Sequence, residues 1–599
     1  MQRTLRFRVR SHDEDIKEAG LVLDFDEIAR RGAMSADEAV IAKFYGIYNM
    51  RQPGNHMARV VITGGVLTSM QARALARIAE NYAQGRLAFT TRQDCQMHWL
   101  KCARLPDFIR DLHQAGLSTF HGCGDVNRNV VVCPWAQICR HARFDVYPYA
   151  VETARAILNE RDLDNLPRKH KISFSGCIAG CAQPYMNDIG LVAVVRKHDG
   201  ALDEGFKVVI GGGHGWKPVV AQELFAFVPK NHASEVCKAI VQFYRDHGDR
   251  FDRARARLKF VVERMGIDEC RRKVGEILSG RGVDTKNFCL EPIETVEQHV
   301  PKRPLTENDP IDRYGFAIVR ARVPKGEVRF HQLARLAELS EIFGDKHLYI
   351  TQRQNVEFHG VDPKNIESLK DAIREVGFAT DGVEGLRHIV PCVGTSDCPL
   401  AVTKTHYLFE LLVPVVEDPK YDEILDAVQI NITGCPNSCS PYRVVDIGFR
   451  GARIREDLGS VEGYEVAIGG TQKRHGVPVG EFKLEDCPRV LRTILDTFME
   501  RRKDGETLSD HVEREGVEPY RKALEALNIS YKKAPPLSEL STAQGLAGEV
   551  RDRKTYEMDI PCQAACPAGT RVPHYIEAIA KGDLDLAFRI NQEDNVFPG

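Results

Sequence analysis

The chain has 599 residues, 43% of them apolar, enough for several domains with large cores. Its 84 acidic and 82 basic residues nearly cancel, which argues against nucleic-acid or membrane affinity but leaves room for a small anion held by local cations. The charged start MQRTLRFRVR lacks a signal core, no run of about 18 apolar residues occurs, and seventeen cysteines without a secretion signal read as thiolate ligands or buried thiols of a reducing cytoplasm rather than disulfides.

In chain order, RVVITGG and RLAFTTRQ alternate apolar and polar residues as strands do, with a helical stretch at 69–84 between them. Cys133 and Cys139 follow, then Cys177 and Cys181 in ISFSGCIAGC, then a strand ending in glycines, FKVVIGGG. About 260 residues on, the order recurs. FAIVRARV and HLYITQRQ flank a helical stretch at 329–343, Cys392 and Cys398 repeat the first cysteine spacing, and Cys435 and Cys439 in INITGCPNSC repeat the second. TTRQDCQMHW aligns with ITQRQNVEFHG, and Arg59 falls opposite Arg320. A period this long means two homologous halves, not a solenoid.

The expected domains are a β-rich piece over 1–120, an α/β piece over 121–280, a Pro- and acid-rich linker over 281–310, a second β-rich piece over 311–380, a second α/β piece over 381–530, and a linker with a partial helical segment over 531–599.

Each four-cysteine set can hold a zinc ion or an iron–sulfur cluster. Structural zinc sites usually pair cysteines two to four residues apart, which a five-residue gap fits poorly. A cubane tolerates wider spacings. Buried structural cysteines are common but do not account for two copies with matched spacing. Gly176 and Gly434 would let the backbone pass close to a cluster.

With these pieces in place, residues 10–530 resemble the sirohaem-dependent sulfite and nitrite reductases. The resemblance rests on the second-half cysteine pairs, GDVNRN (124–129), LPRKHK (166–171) and the two TRQ/QRQ segments. It implies an α+β fold of duplicated halves, each ferredoxin-like plus α/β, related by a pseudo-twofold axis. It implies a 4Fe–4S cluster on Cys392, Cys398, Cys435 and Cys439, with Cys439 bridging to the sirohaem iron, and cofactor contacts from Arg92, Gln93, Arg353 and Gln354. Arg59, Arg128, Lys169 and Lys171 match the family's anion-binding residues. The charges suit that role, because a dianion leaving water needs compensation and each nearby cation offers ~4 kcal/mol at an effective dielectric of about 20. The K-x-K alternation puts both lysines on one face of a strand. Lys171 favours sulfite, since plant-type nitrite reductases tend to carry asparagine there.

The first half departs from single-cluster assimilatory enzymes by keeping Cys133, Cys139, Cys177 and Cys181. Its expected counterpart site is incomplete: Ala427 and Gln429 fall opposite Lys169 and Lys171. Two clusters and one reduction site are therefore expected, the first-half cluster relaying electrons or holding an inactive tetrapyrrole.

Residues 562–599 resemble the start of the helical iron–sulfur domain of the glutamate synthase small subunit, through Cys562, Cys566 and Pro567. On that resemblance the chain is a shortened form of a longer polypeptide whose further part binds FAD and NAD(P)H. The expected reaction is six-electron reduction of sulfite to sulfide, with a ferredoxin or a fused NAD(P)H–flavin module as donor. The alternatives are nitrite reduction to ammonia, a non-catalytic electron-transfer or assembly subunit, and a zinc-stabilised scaffold.

Overall fold

The structure is a computed structural model that describes residues 11–527 apart from 21, 199, 297, 298, 457 and 458, together with 529, 531, 532, 576, 578–580 and 583–594. Cys562 and Cys566, and most of the segment over 531–599, lie outside the described residues. The fold is α+β, and its two halves repeat each other.

The ferredoxin-like pieces are built by period-two strands around one helix each. In the first, Thr68 caps helix Ser69–Tyr82: its hydroxyl accepts from the Gln71 N–H at 3.1 Å, and the Gln71 side chain accepts from the Thr68 N–H at 3.1 Å. In the second, Gln332 does the same for the Arg329 N–H at 2.9 Å, at the start of helix Phe330–Phe343.

Neither piece is self-contained. Strand Val66–Thr68 of the first half joins the second half's sheet against His347–Ile350, with Val66 opposite Tyr349. Reciprocally, Glu327–Arg329 joins the first half's sheet against Arg86–Phe89, with Glu327 opposite Ala88. A single hydrophobic core then runs through both pieces, from Leu75 and Phe108 to Leu336 and Phe358. Burial of this shared apolar surface, at about 25 cal/mol per Å², holds the halves together.

The crossing is locked by a symmetric pair of turns. Gln93 and Gln354 both adopt positive φ, 60° and 69°. The Gln93 amide donates to Ile350 O at 2.9 Å, and the Gln354 amide donates to Phe89 O at 2.9 Å, so each half binds the other's backbone. Gly65 and Gly326 lie under the same carbonyls; a Cβ there would stand 2.3 Å from Ile350 O and 2.6 Å from Phe89 O. Gln93 also donates to Gly64 O and accepts from the Val132 N–H. Gln93→Leu should leave several buried groups unpaired and lower stability by about 2–4 kcal/mol. Denaturant unfolding measures this, and an unchanged midpoint would remove the glutamine as the lock.

The α/β pieces carry mixed sheets in the same order. In the first, Val131–Val132, Ile172–Ser175 and Ile189–His198 run parallel, followed by antiparallel Ala201–Ile210 and Gln222–Pro229. In the second, Ile389–Pro391, Ile430–Thr433 and Ile447–Glu456 run parallel, followed by antiparallel Gly459–Ile468 and Val477–Lys483. The registers match too: Ile172 faces Ile189 as Ile430 faces Ile447.

The segment expected only to join the halves is itself packed down. Cys289 exchanges backbone bonds with Phe227, the Val296 N–H donates to Val195 O at 3.0 Å, and Pro304–Thr306 forms a short 3₁₀ turn between the halves. No helix among the described residues is long and apolar enough to cross a membrane.

Candidate active site between the halves

The parallel strands explain why the cysteines gather. Cys133 and Cys139 follow strand Val131–Val132, and Cys177 and Cys181 follow its parallel neighbour Ile172–Ser175. Neighbouring parallel strands end on the same side, so the four thiols meet, and they line one small cavity. Cys392, Cys398, Cys435 and Cys439 follow Ile389–Pro391 and Ile430–Thr433 in the same way.

A backbone donor recurs in both sets: the Gly176 N–H points at Cys133 Sγ (3.4 Å), and the Gly434 N–H at Cys392 Sγ (3.2 Å). Burial, then the neighbouring Cys439, pushes the Cys435 thiol up to about 11 and the Cys392 thiol up to about 12. Thiols so crowded give up their protons together only when positive charge such as iron is placed among them. Among the described residues no group of three or more His, Cys, Asp or Glu is arranged to hold a single metal ion.

Cys439 is the exposed member of its set, and the first half reaches it directly. The Thr91 hydroxyl donates to Cys439 O at 2.8 Å, and Arg59 and Lys169 both feel the charge of its thiol. Arg59 lies on strand His56–Val60 opposite Gln96. It donates to Gly122 O at 3.0 Å and, with the Gln96 amide turned so that its oxygen faces the guanidinium, to Gln96 at 2.6 Å. Arg128 is buried and donates three bonds, one to Gly122 O at 3.1 Å and two to Gly124 O at 3.0 and 2.8 Å. Its donors hold the glycine loop, so it contributes charge more than free hydrogen bonds. Neither arginine has a carboxylate at ion-pair distance among the described residues. The nearby Asp94 is buried, which pushes its carboxyl up to about 6.

The lysines alternate as the K-x-K spacing requires. His170 turns inward to Asn127 Oδ1 at 2.9 Å, and its neighbours Lys169 and Lys171 stand close enough to repel each other. Both lysines are half-buried, and among the described residues neither ammonium has a hydrogen-bond or ion-pair partner. Burial, offset in part by Cys439, brings Lys169 down to about 8, with Arg257 and Arg128 adding repulsion. Burial, then Arg92 and Lys169, takes Lys171 well below the usual lysine range. Burial without a partner disfavours the charged ammonium forms, and an anion entering beside them would restore their charge.

Further groups around Lys171 escaped the sequence reading. Arg257 makes a buried ion pair with Asp188 at 2.7 Å, and Lys259, lowered by burial to about 7, donates to His214 O at 2.9 Å. Their only sequence signal is a second basic alternation, RLK at 257–259.

Arg92 and Arg353, expected as cofactor contacts, hold backbone and amides in matching fashion. Arg92 donates to Asn129 O and Asn187 Oδ1, and Arg353 to His388 O and Asn431 Oδ1. With Gln93 and Gln354 they join loops and halves, a role the sequence reading did not assign. The second half's counterparts of Arg59 and Arg128 are Arg320 and Arg387, the latter five positions before Cys392 as Arg128 is five before Cys133, and both are engaged elsewhere. Arg320 donates to Leu305 O and Glu307 O, and Arg387 turns away to Asp381 and Asp422.

The structure is thus a duplicated α+β fold with a four-thiol set in each half and a group of basic residues near the second set. The model of the nitrite and sulphite reductase 4Fe-4S domain matches residues 123–281 and 382–530. That of the nitrite/sulfite reductase ferredoxin-like half domain matches residues 48–115 and 310–376. The chain belongs to the nitrite/sulfite reductase family and is an oxidoreductase of that kind. It is 28% identical to an assimilatory ferredoxin-dependent nitrite reductase of Haloferax mediterranei, over 82% of this chain and 87% of the relative. It is equally identical to a sulfite reductase [ferredoxin] 1 of Mycolicibacterium paratuberculosis, over 82% and 92%. Among solved structures, the Mycobacterium tuberculosis NirA protein superposes with a TM-score of 0.77 at 26% identity, covering 86% of this chain and 98% of that one.

Proposed function

We propose that the protein reduces sulfite to sulfide, with Cys392, Cys398, Cys435 and Cys439 the residues that would hold a 4Fe–4S cluster and Cys439, the exposed one, the residue that would also serve a sirohaem. One observation carries this reading: two lysines without partners among the described residues stand side by side, the first within electrostatic reach of Cys439 in the other half. The thiol donor set and the unpaired cations fit the cluster and an anionic macrocycle with its anionic substrate. The bound group supplies electrons to the substrate. The chain's own residues do the rest. Lys169 and Lys171 bind and orient the anion, Arg59 and Arg128 add charge nearby, and Lys169, held near neutrality, gives up a proton readily as S–O bonds break. A pure electron carrier would have no use for such a pair, which weighs against a non-catalytic role. We place the protein in the cytoplasm with a ferredoxin-type donor; a fused NAD(P)H–flavin module is the other donor in view.

Nitrite is the second reading, because relatives at the same identity are named for either anion. The test is the ratio of kcat/KM for sulfite and nitrite on the reconstituted full-length protein, before and after Lys171→Asn. Removing one cation should cost the dianion up to a few kcal/mol and the monoanion less, since water replaces part of the interaction. The sulfite-to-nitrite ratio should therefore fall about tenfold or more. An unchanged ratio would remove Lys171 as the selector.

A further inference from the structure

The first-half thiol set is not used by the reaction proposed above, yet its geometry repeats that of the second. Cys133, Cys139, Cys177 and Cys181 line one cavity, and two backbone donors aim at its sulfurs: the Gly176 N–H at Cys133 (3.4 Å) and the His141 N–H at Cys139 (3.3 Å). Such N–H···S bonds disperse the charge of a thiolate cluster. The first of them has an equivalent in the second set, Gly434 N–H to Cys392. A Cβ at position 176 would press on Ala142 at 3.2 Å and lie in van der Waals contact with Cys133 Sγ at 3.6 Å.

What differs is the space in front of the set. Close to the second-half set stand Arg59 and Lys169, both within electrostatic reach of Cys439. Over the first-half set lie Pro304 and Leu305, which line the same cavity as the four cysteines. They are fixed there: Arg320, the repeat partner of Arg59, donates to Leu305 O and Glu307 O, and Arg313 donates to Cys139 O at 3.0 Å. The lysine positions differ as well. Gln429, in place of Lys171, donates its amide to Glu384 O at 2.8 Å, and Ala427 stands in place of Lys169. Two buried carboxylates border this side: Glu357, which accepts from Trp135 Nε1 at 3.0 Å, and Glu384, paired with Arg353 at 3.2 Å. With Pro304 and Leu305 over the thiols and no lysine pair beside them, a polycarboxylate macrocycle would find no open face there.

We propose that the first-half set holds a 4Fe–4S cluster with no tetrapyrrole over it, an electron-carrying centre without a substrate site. The inference rests on the proposed function for its picture of the second-half site. The cluster takes one electron from a one-electron donor of iron–sulfur type and passes it on, with no bond made or broken.

The test is chemical analysis of the holoenzyme for iron, acid-labile sulfide, zinc and extractable tetrapyrrole. The expected result is about nine iron and about eight sulfide per tetrapyrrole, two cubanes and one macrocycle iron. About five iron and four sulfide per tetrapyrrole, or zinc in place of the second cluster, would overturn the proposal. So would two tetrapyrroles per chain. Cys177→Ser should halve the labile sulfide while the tetrapyrrole per chain stays constant, and full retention of sulfide would also overturn it. Should that variant not fold, the wild-type ratio decides alone. Eight sulfides with no tetrapyrrole would sink the proposed function and leave the bare cluster standing.

Discussion

Cys439→Ser is expected to abolish turnover, with kcat falling by at least about a thousandfold, equivalent to about 4 kcal/mol of barrier. The reason is placement. Cys439 is the exposed thiol of its set, and it faces Arg59 and Lys169 across the junction of the halves. Its backbone is held from the other half by Thr91, whose hydroxyl donates to the Cys439 carbonyl. Serine keeps that carbonyl, so the junction should survive the change. What serine lacks is a thiolate, the soft ligand able to join a cluster to a second iron. The measurements are turnover with a chemical reductant, tetrapyrrole absorption per chain, and far-UV circular dichroism. Loss of turnover and altered absorption with unchanged dichroism is the expected pattern. Turnover within tenfold of the wild type would remove Cys439 as the link.

The duplication was legible because cysteine spacings, glycine-ended strands and the TRQ/QRQ pair all recur at one offset, and independent features do not agree on an offset by chance. The thiol sets were legible for the same reason, and parallel strand order then brings each set together. The strand exchange was not legible. Val66–Thr68 and Glu327–Arg329 are three-residue strands, and nothing local in so short a run names its partner. The same holds for Gln93 and Gln354: their types suit a cofactor contact as well as a backbone lock, and only the crossing of the halves decides. Arg128 was legible as a basic residue of the site, but its bonds to Gly122 and Gly124 were not, because a buried guanidinium takes the nearest carbonyls. Pro304 and Leu305 sit in a stretch whose composition reads as linker. Their place over the first thiol set follows from packing that composition does not encode.

Lys169→Met should lower kcat/KM for the anion by roughly ten- to a thousandfold, and it should also change the shape of the pH profile. In the empty site burial holds Lys169 at about 8 against an ordinary 10.5, so it is charged below that value and neutral above it. Anion binding that needs this charge should weaken as pH rises through about 8. The methionine variant should lose that limb of the profile and keep only its low residual activity. Lys169→Arg should keep charge at the position to higher pH and move the limb upward. Unfolding would be an alternative cause of an alkaline loss, but linkage gives it the wrong sign. Between about 8 and 10.5 the unfolded chain holds a proton at this lysine that the folded chain does not, so this group makes the empty protein more stable as pH rises across that window. Falling activity without falling stability between these values is therefore the signature of Lys169 itself. Equal pH profiles for the wild type and the methionine variant would remove it from the anion site.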